Sequence, residues 1–138
     1  MDRFFINGPC KIKGSIKLSG SKNASLPILA ATILFDEPVE IKNLPNVKDI
    51  ETMLDLIKSL GFSVKKNKIN NSVIIKKKKI KTFASYSLVK TMRAGILVLG
   101  PLVTKYRKAT TSLPGGCLIG ARPVNIHLNV LKKLGMRH

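Results

Sequence analysis

Apolar positions in this chain recur at two periods, and the switches between them divide it into elements. "FFINGPCKIKGSIKLSG" (4–20) alternates and is broken by glycines, which predicts two short strands. In "SKNASLPILAATILF" (21–35), Leu26, Leu29, Ala30 and Ile33 fall at the three-and-four spacing of one helix face. Ser21 can cap that helix, and Pro27 is tolerable in its first turn. After the turn "DEP", "VEIKNL" reads as a strand. "DIETMLDLIKSLG" predicts a helix with Asp49 as cap, a stripe at Ile50, Met53, Leu54, Ile57 and Leu60, and Gly61 as its stop. "FSVKKNKINNSVIIKKK" predicts two strands about an Asn-rich turn. "SLVKTMRAGILVLGPLVTKY" reads as one longer, largely buried helix bent at Gly100 and Pro101. "KATTSL" reads as a strand, and "NIHLNVLKKLG" as a last amphipathic helix.

These elements repeat. "NLP" (43–45) precedes a helix ending "LDLIKSLGF", and "SLP" (112–114) precedes one ending "LNVLKKLGM". Leu54, Leu56, Ile57, Lys58, Leu60 and Gly61 correspond to Leu128, Val130, Leu131, Lys132, Leu134 and Gly135. The unit is helix, strand, helix, strand pair, so the fold class expected is α/β. The second unit is expected to stop in mid-unit at "GMRH". It also carries about five additional residues before its helix, within "GGCLIGARP", at a strand-to-helix loop of the kind where function is mounted on a repeating scaffold.

Composition narrows the class. At 138 residues and 44% hydrophobic content the chain can bury one core. No apolar run precedes the first glycine and none is long enough to span a bilayer, so the cytoplasm is the expected compartment. Cys10 and Cys117 lie far apart without metal-ligand spacing, so two free thiols are expected, with no metal site and no cofactor. A net charge of +18 raises nucleic acid, membranes and anionic metabolites as partners. The excess is mostly lysine, however, and aromatic residues make up only 5%, so stacking platforms for single strands are scarce. "KKKK" at 76–79 reads as a solvated strand end. All seven carboxylates lie at or before Asp55.

Candidate chemistry gathers in three places. Cys117 sits among Gly115, Gly116 and Gly120, five residues before Arg122 and just before a helix starting near Val124. A thiol near a cation and a helix N-terminus has its thiolate stabilised, so Cys117 is placed to react; the alternative is a small residue packed in a loop. Cys10, beside Pro9 in a strand-like stretch, reads as structural. Lys22 and Asn23 stand at a glycine-to-helix junction where a cation and free amides can hold an anion. Arg93 interrupts an apolar helix and must find an anion or solvent. His127 reads as a helix residue rather than a base.

"SGSKNASLPILAATIL", "LVKTMRAGILVLGPLV" and "SLPGGCLIGARPVNIHL" resemble the enolpyruvyl transferases, and within them those acting on UDP-N-acetylglucosamine at the first committed step of peptidoglycan synthesis. The resemblance covers essentially the whole chain, and the cysteine loop is its most specific part. It implies transfer of the enolpyruvyl (1-carboxyvinyl) group from phosphoenolpyruvate to the sugar 3-hydroxyl with release of phosphate, without a cofactor. It implies that Lys22, Asn23 and Arg122 bind phosphoenolpyruvate, and that Cys117 is the general acid protonating its methylene carbon. Arg93, Arg122, Pro123, Val124, Asn125 and Ile126 match positions that line the UDP-sugar site; Asn125 departs from the aspartate common there.

The resemblance further implies an inside-out α/β barrel of repeated units in two domains, of which this chain supplies fewer than two repeats. Residues 1–20 then hold strands belonging to the other domain, and 21–138 a truncated catalytic domain. The aspartate thought to accept the hydroxyl proton would lie outside this chain. Three readings stay open: an enzyme completed by a separately encoded C-terminal portion, an inactive remnant, and a basic module binding anions or nucleic acid.

Overall fold

The computed structural model describes residues 3–112 and 124–137. The helices are α1 (Lys22–Ala31), α2 (Lys48–Ser59), α3 (Tyr86–Val89), α4 (Leu99–Tyr106) and α5 (Asn125–Lys133). Two 3-10 turns, Thr32–Leu34 and Arg93–Val98, extend α1 and lead into α4. The strands β1 (Val39–Ile41), β2 (Phe62–Asn67) and β3 (Ser72–Lys77) form one antiparallel sheet in the order β1-β3-β2.

The apolar stripes drive the packing. Leu26, Leu29, Ala30 and Ile33 are all buried, as their spacing predicts, against α2. On α2 the predicted stripe is buried together with Leu56, because α2 touches the sheet on one side and α1, α3 and the Arg93–Val98 turn on the others. Each such side chain contributes about 1.5–3 kcal/mol by leaving water. In β3, Val73 and Ile75 face this core while Ile74 between them is half-exposed, the period of a sheet covered on one face. Register is fixed by Val73, Ile75 and Val64: Ile75 pairs with both Val39 and Val64.

The internal repeat is structural. Gly61 at φ +92° ends α2 and Gly135 at φ +95° ends α5. Gly61 donates its amide to Lys58 and Gly135 donates to Lys132, at 2.9 and 3.0 Å. A left-handed glycine closes each helix because it alone adopts that φ without Cβ strain.

Several expectations are corrected. Residues 3–20 form no strand: every side chain from Arg3 to Ser19 is exposed, Phe4 at 95% and Ile12 at 93%. No described sheet edge takes them up, and a lone hairpin is marginal in water. Cys10 is therefore exposed rather than packed in a strand. Pro27 lies in the second turn of α1, not the first, and deprives the Asn23 carbonyl of its intrahelical donor; that carbonyl belongs to an exposed residue that water can satisfy. The N-cap of α2 is Val47, with no side-chain hydrogen bond; Asp49 lies inside the first turn, where its charge suits the helix dipole.

The long helix expected over 87–106 is broken at Lys90–Met92 rather than bent at Gly100 and Pro101. Pro101 is the third residue of α4, where its missing N–H is no loss. The break lets Gly95 pack against Val89, whose Cα would stand 3.2 Å from an added Cβ. Of "KATTSL", the described residues 108–112 form a single parallel bridge, Phe83 to Thr110, instead of a strand; within the described residues no neighbouring strand extends the pairing. Finally, Lys77 of the lysine run is not simply solvated: it pairs with Asp36 and lies 5.8 Å from the Tyr106 ring centroid, whereas Lys76, Lys78 and Lys79 are exposed.

Candidate functional site

The start of α1 is built by close backbone approach. An added Cβ on Gly20 would lie 2.1 Å from the Asn43 carbonyl oxygen, so only glycine brings the chain this near the 43–45 loop. Ser21 then caps α1: its Oγ accepts from the Ala24 amide at 3.4 Å, and its carbonyl accepts from the Ser25 amide and hydroxyl at 2.9 and 2.8 Å. Lys22 and Asn23 are the first two helical residues, both exposed, and their amides have no intrahelical acceptor. This is the geometry of an anion site at a helix N-terminus. Its cation already has a partner: Lys22 Nζ stands 2.8 Å from Asp49 Oδ2 at the start of α2.

Arg93 opens the 3-10 turn that packs on α1. It is half-buried, and among the described residues it has no carboxylate within ion-pair reach. The elements carrying Lys22, Asn23 and Arg93 thus form one packed unit. Of the other predicted residues, those described lie at the start of α5. Val124 caps α5, and Asn125 and Ile126 are exposed at its start; α5 buries none of its residues. A cleft of about 1100 Å³ lined by Leu99, Val103, Leu128, Leu131 and Met136 lies between α4 and α5. His127 is exposed on α5. Cys117, Arg122 and Pro123 lie outside the described residues.

Sequence reasoning missed two features. Asp49 is the partner of Lys22; its place in the first turn of α2 was the available signal, but it fits a cap equally well. Asp36 bridges Lys77 and Lys105 at 2.7 and 3.0 Å, and Lys105 also donates to the Leu34 carbonyl. These hydrogen bonds hold the Asp36 carboxyl below its ordinary 3.8 and push the Lys77 ammonium above 10.5. No local sequence pattern links residues 41 positions apart.

A family model described as EPSP synthase (3-phosphoshikimate 1-carboxyvinyltransferase) matches residues 6–137, nearly the whole chain. The chain belongs to the EPSP synthase family. Among curated relatives of this EPSP synthase-family chain, the UDP-N-acetylglucosamine 1-carboxyvinyltransferase of Pelagibacter ubique (strain HTCC1062) is 60% identical over 100% of the chain and 33% of its own length. The enzyme of the same name from Escherichia coli O1:K1 / APEC is 50% identical over 98% of the chain and 32% of its own length. The chain therefore spans about a third of the length of the curated relatives it matches. A crystal structure of the enolpyruvyl transferase NikO from Streptomyces tendae aligns with a TM-score of 0.60 at 18% identity, covering 67% of this chain and 21% of that one. At that identity the likeness concerns the fold: this EPSP synthase-family chain carries part of the enolpyruvyl transferase architecture. Among the described residues, no helix is long and apolar enough to cross a membrane.

Proposed function

We propose that this chain is part of a cytoplasmic enolpyruvyl transferase that moves the 1-carboxyvinyl group of phosphoenolpyruvate to the 3-hydroxyl of UDP-N-acetylglucosamine, feeding peptidoglycan and so cell-wall synthesis. The observation that carries this is 60% identity, over the full chain, to an enzyme of that name. In the proposed mechanism, Lys22, Asn23 and Arg122 hold the phosphate and carboxylate of phosphoenolpyruvate. The Cys117 thiol protonates the methylene carbon and C2 becomes oxocarbenium-like. The sugar hydroxyl gives its proton to a base outside this chain as its oxygen bonds to C2. Phosphate then leaves with the C2–O electron pair as the new methyl group releases a proton, replacing the one the thiol lent. Cations about the phosphate stabilise the departing charge, and a positioned acid supplies the proton. Arg93, Arg122, Pro123, Val124, Asn125 and Ile126 line the UDP-sugar site, with Asn125 in place of an aspartate. No cofactor takes part.

In the completed enzyme residues 1–20, of which the described 3–20 form no strand in this chain by itself, pair as strands of the second domain, and 21–138 are part of the catalytic one. The exposure of Phe4, Phe5, Ile6, Ile12 and Ile16 supports this, since so apolar a segment is normally covered. The chain alone leaves the site open to water and without the base. Measured phosphate release from phosphoenolpyruvate and UDP-N-acetylglucosamine is expected to be absent for the chain by itself. It is expected to appear when the complementary two-thirds of the Pelagibacter ubique enzyme is added, and to vanish with Cys117→Ser. Release by the lone chain that Cys117→Ser abolishes would overturn the claim of incompleteness. No release in the completed mixture would identify a decayed remnant.

A further inference from the structure

We propose that Asp49 is the resident counter-anion of Lys22, holding its ammonium at the start of α1 and yielding it when an anionic ligand arrives. This rests on the assignment of Lys22 to phosphoenolpyruvate above. A lysine as first residue of a helix opposes the helix dipole, so it needs an anion to hold it there. Asp49 supplies one at 2.8 Å, and its own carboxylate is favoured by its place in the first turn of α2. The pair is asymmetric: without Lys22 the carboxylate keeps a favourable field, while without Asp49 the ammonium keeps none.

Three further observations make the contact exchangeable. The side chains are 46% and 41% exposed, so an anion can reach the ammonium. An ammonium carries three donors, and only one contact to Asp49 is made. Exposed ion pairs add little to stability, and α1 is already fastened to α2 through Leu29, Ile33, Met53 and Leu54, so opening the pair leaves the fold intact. Asp49 thus acts on the ligand through Lys22 as a positioning residue. It stands in for the ligand's charge when the site is empty and competes with it on binding.

The test is an NMR titration of the 138-residue chain with inorganic phosphate and with phosphoenolpyruvate, following the Lys22 and Asn23 amides in wild type, Asp49→Asn, Asp49→Glu, Lys22→Ala and the Lys22→Ala/Asp49→Asn double variant. Asp49→Asn is expected to bind each anion about five-fold more tightly, as removal of one unit charge near ion-pair distance in a wet setting predicts. Asp49→Glu should stay close to wild type. The gain should disappear when Lys22→Ala is combined with Asp49→Asn, which a purely structural role would not produce. Wild-type shifts that Asp49→Asn leaves unaltered or weakens would overturn the counter-anion role alone. If neither anion moves the Lys22 and Asn23 signals in any variant, the assignment of Lys22 as an anion ligand falls as well.

Discussion

Three glycines separate the two costs of a side chain at a turn. Gly61 closes α2 at φ +92°, and an added Cβ would lie 1.8 Å from the Lys79 carbonyl oxygen and 2.7 Å from its carbon. Neither side can retreat cheaply, because the Lys81 amide donates to the Leu60 carbonyl at 2.9 Å and Leu60 is fully buried. Left-handed backbone costs an alanine about 1–2 kcal/mol. Forcing apart a packed contact costs about 1–3 kcal/mol more. Gly61→Ala should therefore lose about 2–5 kcal/mol, a large share of the roughly 5–15 kcal/mol that holds a domain together. For a chain of this size that lowers the thermal midpoint by about 10 °C. Gly135 has φ +95° but nothing within 4 Å, so Gly135→Ala should show strain without the clash, a loss of about 1–2 kcal/mol confined to α5. Gly100, second in α4 with nothing within 4 Å, should tolerate alanine or gain up to about 1 kcal/mol. Thermal and urea unfolding followed by far-ultraviolet circular dichroism gives the ranking. A Gly61→Ala midpoint equal to wild type, or a Gly100→Ala loss as large as that of Gly61→Ala, would refute the reasoning.

Three other outcomes are expected. Asp36 titrates below its ordinary 3.8 in the fold, so its contribution is present above that value and lost as pH falls through the lowered one. The raised Lys77 contributes below 10.5 and loses this as pH climbs through its folded value; Asp36→Asn should flatten stability in both windows, and unchanged acid and alkaline limbs would disprove the bridge. Maleimide should modify Cys117 before Cys10; since Cys10 is exposed, access does not protect it, and equal rates by mass spectrometry would argue against a stabilised Cys117 thiolate. Binding to duplex DNA should be weak, independent of sequence and steeply reduced by salt, whereas tight binding persisting at high salt would favour a basic binding module.

Where periodicity and burial coincide, the sequence was sufficient. The faces of α1 and α2, the β2–β3 hairpin and the glycine closing each repeat follow from local spacing alone. Apart from the turn that holds Pro27 and the cap of α2, which are local shifts of boundary, the misreadings share a different cause: something distant decides. Residues 4–20 alternate as strands should, yet pairing needs a sheet edge, and no described edge takes them up. The 87–106 run is apolar throughout, so its pattern could not reveal the break that seats Gly95 on Val89. At the candidate site, the junction before α1 announced Lys22 and Asn23. Asp49 escaped notice because an acidic residue near a helix start has two explanations, a cap and a partner, and only the fold chooses between them.

The most direct measurement of the account is the product itself. The chain and the separately produced remainder of the Pelagibacter ubique relative are mixed with phosphoenolpyruvate and UDP-N-acetylglucosamine, and the nucleotide sugars are analysed by mass spectrometry. The account predicts a UDP-sugar enlarged by one enolpyruvyl group, formed only when both polypeptides are present and lost with Cys117→Ser. Unaltered UDP-N-acetylglucosamine in the complete mixture, while an intact relative converts it under the same conditions, would contradict it.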